Sequence, residues 1–226
     1  MRLRQLLLWE LKFQARYGIH FLYGFLTALY AAVLVSLPSS WQKNAAALLI
    51  FSDPAAMGLF SMGAIILLEK SQRVTAGFAV SPIKAWEYVC SKVLSLSTIA
   101  LGVSAVLGAA VKCSRLSLVL LGTFLASVLF TLLGLILATR AQSLNHFLLV
   151  SVPVELLTFL PAVLHLLGIT PGWLSLYPAN VCMDFIAGRG CSAAGLVLTT
   201  ALIGLLYAAA RSCVLNMWTG DGGVRL

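Results

Sequence analysis

A chain of 226 residues that is 61% apolar and 10% charged does not fit an ordinary soluble domain, in which roughly a quarter of residues carry charge. With a mean hydropathy of +1.00, its apolar runs are long enough for the ~20 residues that carry a helix across a bilayer, so the composition places the chain in a membrane. The net charge of +8 comes from 15 Lys and Arg against 7 Asp and Glu, but the basic residues stand in small groups between apolar runs, without the clustered stripe that nucleic acid requires, and no nucleic-acid partner is expected.

The chain opens with an amphipathic stretch, residues 1–17. Leu3, Leu6, Leu7, Leu11 and Phe13 gather on one side of a helical wheel and Arg2, Arg4, Lys12 and Arg16 on the other, with Trp9 among the basic residues and Glu10 among the apolar ones. This pattern predicts a helix lying in the membrane interface. Charges interrupt the apolar run after Trp9 and no small-residue cleavage site follows, so the stretch does not read as a cleaved signal.

Apolar runs then predict six spans, near residues 19–37, 45–68, 93–111, 116–139, 147–167 and 193–210, in an all-α single membrane domain. Alternate loops divide the basic residues eleven to four. Arg2, Arg4, Lys12, Arg16, Lys70, Arg73, Lys84, Lys92, Arg140, Arg211 and Arg225 fall on one side, and Lys43, Lys112, Arg115 and Arg189 on the other. The positive side is retained in the cytoplasm, so both termini are expected there. The connection at 168–192 is the one long external loop, broken by Thr170-Pro171-Gly172, Tyr177-Pro178 and Gly188-Arg189-Gly190.

Chemistry-bearing residues are few. Five cysteines form no CxxC and have no histidine at zinc-ligand spacing, so no metal is expected; Cys182 and Cys191 could pair in an oxidising compartment or serve as packing residues. The sequence holds no GxxxxGK[ST], HExxH, GxSxG or SxxK, so it offers no P-loop and nominates no catalytic residue. Among the ionisable residues within spans, three are singled out: Asp53, before Pro54, as a path residue or a helix N-cap; Glu155, between Pro153 and Pro161, as a path or structural residue; and His165, near an outer span end, as an interface residue or proton relay.

The loop after span 2, residues 69–92, carries the densest pattern. Ser81-Pro82 reads as an N-cap with proline at the first helical position, predicting a short helix that carries Ile83, Trp86 and Tyr88 along the membrane surface. Glu69-Lys70, Ser81-Pro82, Trp86-Glu87-Tyr88 and Ser91-Lys92, together with Asp53-Pro54 ahead of Met57-Gly58-Leu59, resemble the permease subunits of type-2 ABC exporters, in the branch similar to fluoroquinolone exporters. Val74-Thr75-Ala76-Gly77 departs from that pattern, where the family often continues into an acidic residue. The resemblance implies an elbow helix at 1–17 and a coupling segment of Glu69, Ser81, Pro82, Ile83, Lys84, Trp86, Glu87 and Tyr88 that contacts a separate ABC ATPase subunit, present in two copies. It also implies a second permease copy, identical or related, a translocation path past Asp53 and Glu155, and a prokaryotic plasma membrane as the setting. ATP and Mg would be bound by the partner subunit alone, and no cofactor or catalysis is expected of this chain. The rival reading is an ATP-independent proton-coupled carrier that uses Asp53, Glu155 and His165.

Overall fold

The computed structural model describes residues 2–113, 115–190 and 192–221. Among these residues the chain is helical with no strand, and six segments are long and apolar enough to cross a membrane: Ile19–Ser36, Ser39–Ser71, Ala85–Ala110, Leu116–Arg140, Leu144–Leu166 and Ala193–Thr219. A helix of 25 residues, such as Leu116–Arg140, rises about 37 Å at ~1.5 Å per residue, enough for the hydrocarbon core and part of each interface.

The order is α1 (Arg2–Arg16), α2 (Ile19–Ser36), α3 (Ser39–Ala56), a π-helical segment (Met57–Ser61), α4 (Met62–Ser71), α5 (Val74–Val80), α6 (Ala85–Ala110), α7 (Leu116–Arg140), α8 (Leu144–Leu166), a 3-10 turn (Gly172–Leu176), α9 (Pro178–Ile186) and α10 (Ala193–Asp221). Residues with φ above zero mark several corners: Gly18 at φ 73 between α1 and α2, Arg73 at φ 56 between α4 and α5, and Lys112 at φ 50 between α6 and α7. Ser143 begins α8 by accepting the His146 backbone N–H at 3.2 Å.

α7 is the axis of the bundle. It packs against α3, the π segment, α4, α6, α9 and α10, whereas α2, α8 and α10 present most of their surface outward. Two apolar cores are stacked along it. One, at the end bearing α1 and the end of α10, gathers Met62, Ile66, Val89, Leu132, Phe147 and Val214. The other, toward the opposite end, gathers Phe51, Leu107, Phe130, Ala162 and Phe185. The connection at 168–192 holds no span; its helix α9 is buried against α7, where a Cβ on Gly122 would lie 2.8 Å from the Cys182 carbonyl oxygen. Cys182 is buried, and Cys191 lies outside the described residues.

Asp53 and Pro54 do not start or break a helix. They lie inside α3, which runs on through the π segment into α4, so the N-cap expectation for Asp53 does not hold. Proline leaves a carbonyl one turn earlier without its usual donor, and a wider π turn just beyond it is a common way for such a helix to continue. The π segment packs so closely on α7 that a Cβ on Gly134 would lie 2.7 Å from the carbonyl oxygens of Gly58 and Leu59. Those contacts are backbone and cannot swing aside. Gly134→Ala should therefore push the two helices apart and destabilise the protein by about 1–3 kcal/mol, seen as a lower thermal midpoint in detergent; Gly204→Ala, whose Cβ would meet open space, serves as the control.

Candidate functional site

The most concentrated polar chemistry lies where α1, the end of α4 and the start of α6 meet. Lys92 of α6 is fully buried. Its Nζ lies 2.7 Å from Glu10 Oε1 of α1 and also bonds Glu69 Oε1 of α4 in a short ion pair. Tyr88, one turn before Lys92, donates its hydroxyl proton to Glu69 Oε2 at 2.5 Å, and its ring lies 5.2 Å from the ammonium. One turn along α1 from Glu10, Gln14 Nε2 donates to Ser95 Oγ at 2.9 Å. The inward stripe of α1 is therefore Leu6, Glu10 and Gln14, spaced by four residues, with Arg4, Lys12 and Arg16 exposed.

Two carboxylates share one ammonium. Burial pushes the Glu10 carboxyl above its ordinary range, and the nearby Glu69 charge adds to the shift against the opposing pull of Lys92. Each partner depends on the others, since an ion taken out of water has to be met by opposite charge and hydrogen bonds. Aromatic rings close the site on its outer side: Phe78 of α5 packs against Trp9, Tyr88 and Trp218, and Tyr88 against Trp218. Lys70, next to Glu69, turns the other way and donates to the carbonyls of Ala138, Thr139 and Ala141 at 3.1, 2.7 and 3.1 Å, which clamps the C-terminus of α7.

The residues expected to form one surface segment separate into two groups. The short helix of this loop is α5, at Val74–Val80, and no helix starts at Pro82. Ser81 instead donates its hydroxyl proton to the Phe78 carbonyl at 2.9 Å, which closes α5, and α6 begins at Ala85. Glu87 caps that start by accepting the Lys84 N–H at 2.9 Å. Pro82, Lys84 and Trp86 are exposed and Ser81 and Ile83 half-buried, whereas Glu69, Glu87 and Tyr88 are buried. A groove of ≈ 650 Å³ runs between α1 and α5, lined by Leu6, Trp9, Val74, Phe78, Pro82 and Ile83.

Asp53 is 5% exposed and its Oδ2 has no hydrogen-bond partner among the described residues. Glu155 is half-buried on α8, which holds both Pro153 and Pro161 without interruption. His165, at the end of α8, bonds Thr170 Oγ1 through Nδ1 at 2.9 Å and Asp184 Oδ2 of α9 through Nε2 at 3.0 Å, so it fastens α9 to the bundle. Asp53, Glu155 and His165 are not in one cluster. Among the described residues, no three His, Cys, Asp or Glu side chains converge to hold a metal.

Glu10, Gln14 and Lys92 are not among the site residues that the sequence pattern nominates. The signal was present in the wheel, where Glu10 broke the apolar face of α1: an acid on a face that must be buried calls for a buried base, and Lys92 supplies it.

This geometry defines a polytopic helical membrane protein whose buried charges hold its helices together at one end. The model of the fluoroquinolones export permease protein family matches residues 1–219, and the chain belongs to that family of export permeases. Fluoroquinolones export permease proteins from two strains of Mycobacterium tuberculosis, CDC 1551 / Oshkosh and H37Rv, are each 28% identical to it over 164 residues, which cover 72% of this chain and 69% of theirs.

Lys92→Met should leave two facing carboxylates in a dry site and destabilise the protein by about 3–5 kcal/mol. Without the ammonium the buried Glu10 carboxylate gains by binding a proton, so the folded form takes up more protons than the unfolded one. The stability of Lys92→Met should fall as pH rises through the carboxylate range, and the triple variant Glu10→Gln, Glu69→Gln, Lys92→Met should recover most of the loss. Thermal unfolding in detergent across pH measures both effects.

Proposed function

We propose that the chain is the membrane-spanning subunit of an ATP-driven exporter of the type-2 ABC kind, exporting amphiphilic drugs of the class for which its mycobacterial relatives are named. Both termini lie in the cytoplasm of a prokaryotic cell and a separate ATPase subunit, in two copies, supplies hydrolysis. The chain itself carries no P-loop, so energy has to reach it through contact. The observation that carries this reading is the construction of the end bearing the termini. There α1, α4, α5, α6 and α10 are locked together by the Lys92 cluster and the aromatic rings, while Val80 at 88%, Pro82, Lys84 and Trp86 stand exposed from the end of α5 to the first turn of α6. A push on that segment is transmitted to spans 2 and 3, because neither can move without breaking the buried ion pairs.

The uncovered faces of α2, with Phe21 and Phe25, and of α8, with Leu149 and Leu157, suit a second permease copy, identical or related. Asp53 and Glu155 then serve the path between the copies. In this arrangement Ser81, Pro82, Ile83, Lys84 and Trp86 meet the ATPase, whereas Glu69, Glu87 and Tyr88 act from within as struts.

Asp53, buried with an unpaired oxygen, favours the second reading, a proton-coupled carrier that works without an ATPase. Purification from the native membrane in mild detergent separates the two. A stoichiometric Walker-type ATPase, hydrolysing ATP in the complex, is the expected result. Purification of the chain alone, with substrate movement in proteoliposomes driven by a proton gradient, contradicts it. On the first reading Trp86→Ala should weaken ATPase capture about tenfold or more while leaving membrane insertion unchanged, checked by co-purification yield and drug-stimulated hydrolysis.

A further inference from the structure

Four basic residues fall at the end of the bundle opposite the termini, namely Lys43, Lys112, Arg115 and Arg189. Three of them line a single cavity of ≈ 290 Å³: Lys43 from the beginning of α3, Lys112 from the turn after α6, and Arg115 just before α7. No acidic side chain lines this cavity, and among the described residues none of the three cations has an ion-pair partner. Asp184, on the neighbouring helix α9, is engaged by His165. Below the cations the lining is apolar and closed, with Ala47, Ile50 and Val119 all buried.

Three like charges around one cavity repel each other, and the lining sets against them the carbonyl ends of α6 and α9 but no full negative charge. All three side chains are exposed at the cavity's mouth, and the backbone fixes where Lys112 stands. Lys112 adopts φ 50, a conformation uncommon for a residue with a side chain, and its N–H and that of Cys113 bond the carbonyls of Ala109 and Gly108 at 3.0 and 2.9 Å. The first turn of α7 adds its own positive end, because Arg115 at the N-cap provides no side-chain acceptor for the free N–H groups. The cavity thus joins concentrated positive charge to an apolar floor at the boundary between bundle and water, and its volume equals that of about ten waters at ~30 Å³ each.

We propose that this cavity binds a phosphate-type anion, supplied either by the headgroup of an acidic glycerophospholipid or by a small soluble phosphate. The cations meet the phosphate oxygens, and in the lipid case the apolar floor takes the glycerol and the first methylenes of a chain. The site stands apart from the ATP-driven reading and holds whether or not an ATPase partner exists.

Cys113 lines the same cavity and is half-buried, so its alkylation by N-ethylmaleimide, followed at that residue by peptide mass spectrometry, reports occupancy without any transport assay. The rate is compared for the full chain in phosphatidylglycerol nanodiscs, in phosphatidylcholine nanodiscs, and in the latter with inorganic phosphate added. For a lipid site, phosphatidylglycerol slows alkylation about fivefold, as for a ligand at ~4 times its Kd, and K43Q/K112Q/R115Q abolishes the difference. For a soluble anion, inorganic phosphate gives that protection in phosphatidylcholine, again only in the parent chain. The single variants K43Q and R115Q are read in the same way should the triple variant not reach the membrane. Equal rates in all three conditions, or protection that persists in the variants as a general surface-potential effect, overturn the proposal.

Discussion

One ammonium placed between two carboxylates, out of reach of water, is the constraint on which the end of the molecule bearing the termini depends. Lys92 is in α6, Glu69 in α4 and Glu10 in α1, so a single group fixes three elements that are distant in sequence. An apolar contact would let these helices slide against each other, because one methyl group replaces another at little cost. A buried ion pair tolerates no such sliding, since displacement strands a charge in a dry interior. Tyr88 and the Gln14–Ser95 hydrogen bond restrict the geometry further. Lys70 extends the same restraint to the foot of α7 through the carbonyls it binds.

The two ends of the bundle consequently have different mechanics. At the terminal end, charge and aromatic stacking bind α1, the short helix α5 and two spans into one body that presents an exposed connection. At the other end His165 and Asp184 fasten α9, the basic cavity opens beside it, and packing is mainly aliphatic and aromatic. Between them the π segment brings its backbone against α7 at Gly58 and Gly134, close to the buried Asp53. In the proposed exporter the rigid end receives force from the ATPase, and the other end is where the helices rearrange.

Much of the architecture was legible in the sequence because the bilayer imposes length and hydropathy on each span. The six apolar runs all correspond to helices, and the start of span 3 moves from about 93 back to Ala85 because the Lys92 charge is neutralised inside the bundle. Lys92 reads as a loop residue by charge alone, yet it sits within α6 because Glu10 and Glu69 meet it there. No separate helix starts at Pro82, because the Ser81 hydroxyl closes α5 and the span helix α6 begins at Ala85 under the Glu87 cap; local cap patterns do not reveal which of two adjacent turns will use them. Glu10 was visible as an anomaly on an amphipathic helix, but its partner lies in another span, and no local rule connects the two. The convergence of Lys43, Lys112 and Arg115 was equally hidden, since they come from separate loops.

The buried Glu10, rather than the lipid interface, holds α1 to the bundle. Hydrogen exchange over residues 2–16, followed by mass spectrometry in nanodiscs, compares the parent chain with Glu10→Ala. The account predicts slow exchange in the parent chain, matching the start of α6, and a large acceleration confined to this segment in the variant. Equal protection in both chains would contradict it, because α1 would then be an interfacial helix that the membrane alone retains.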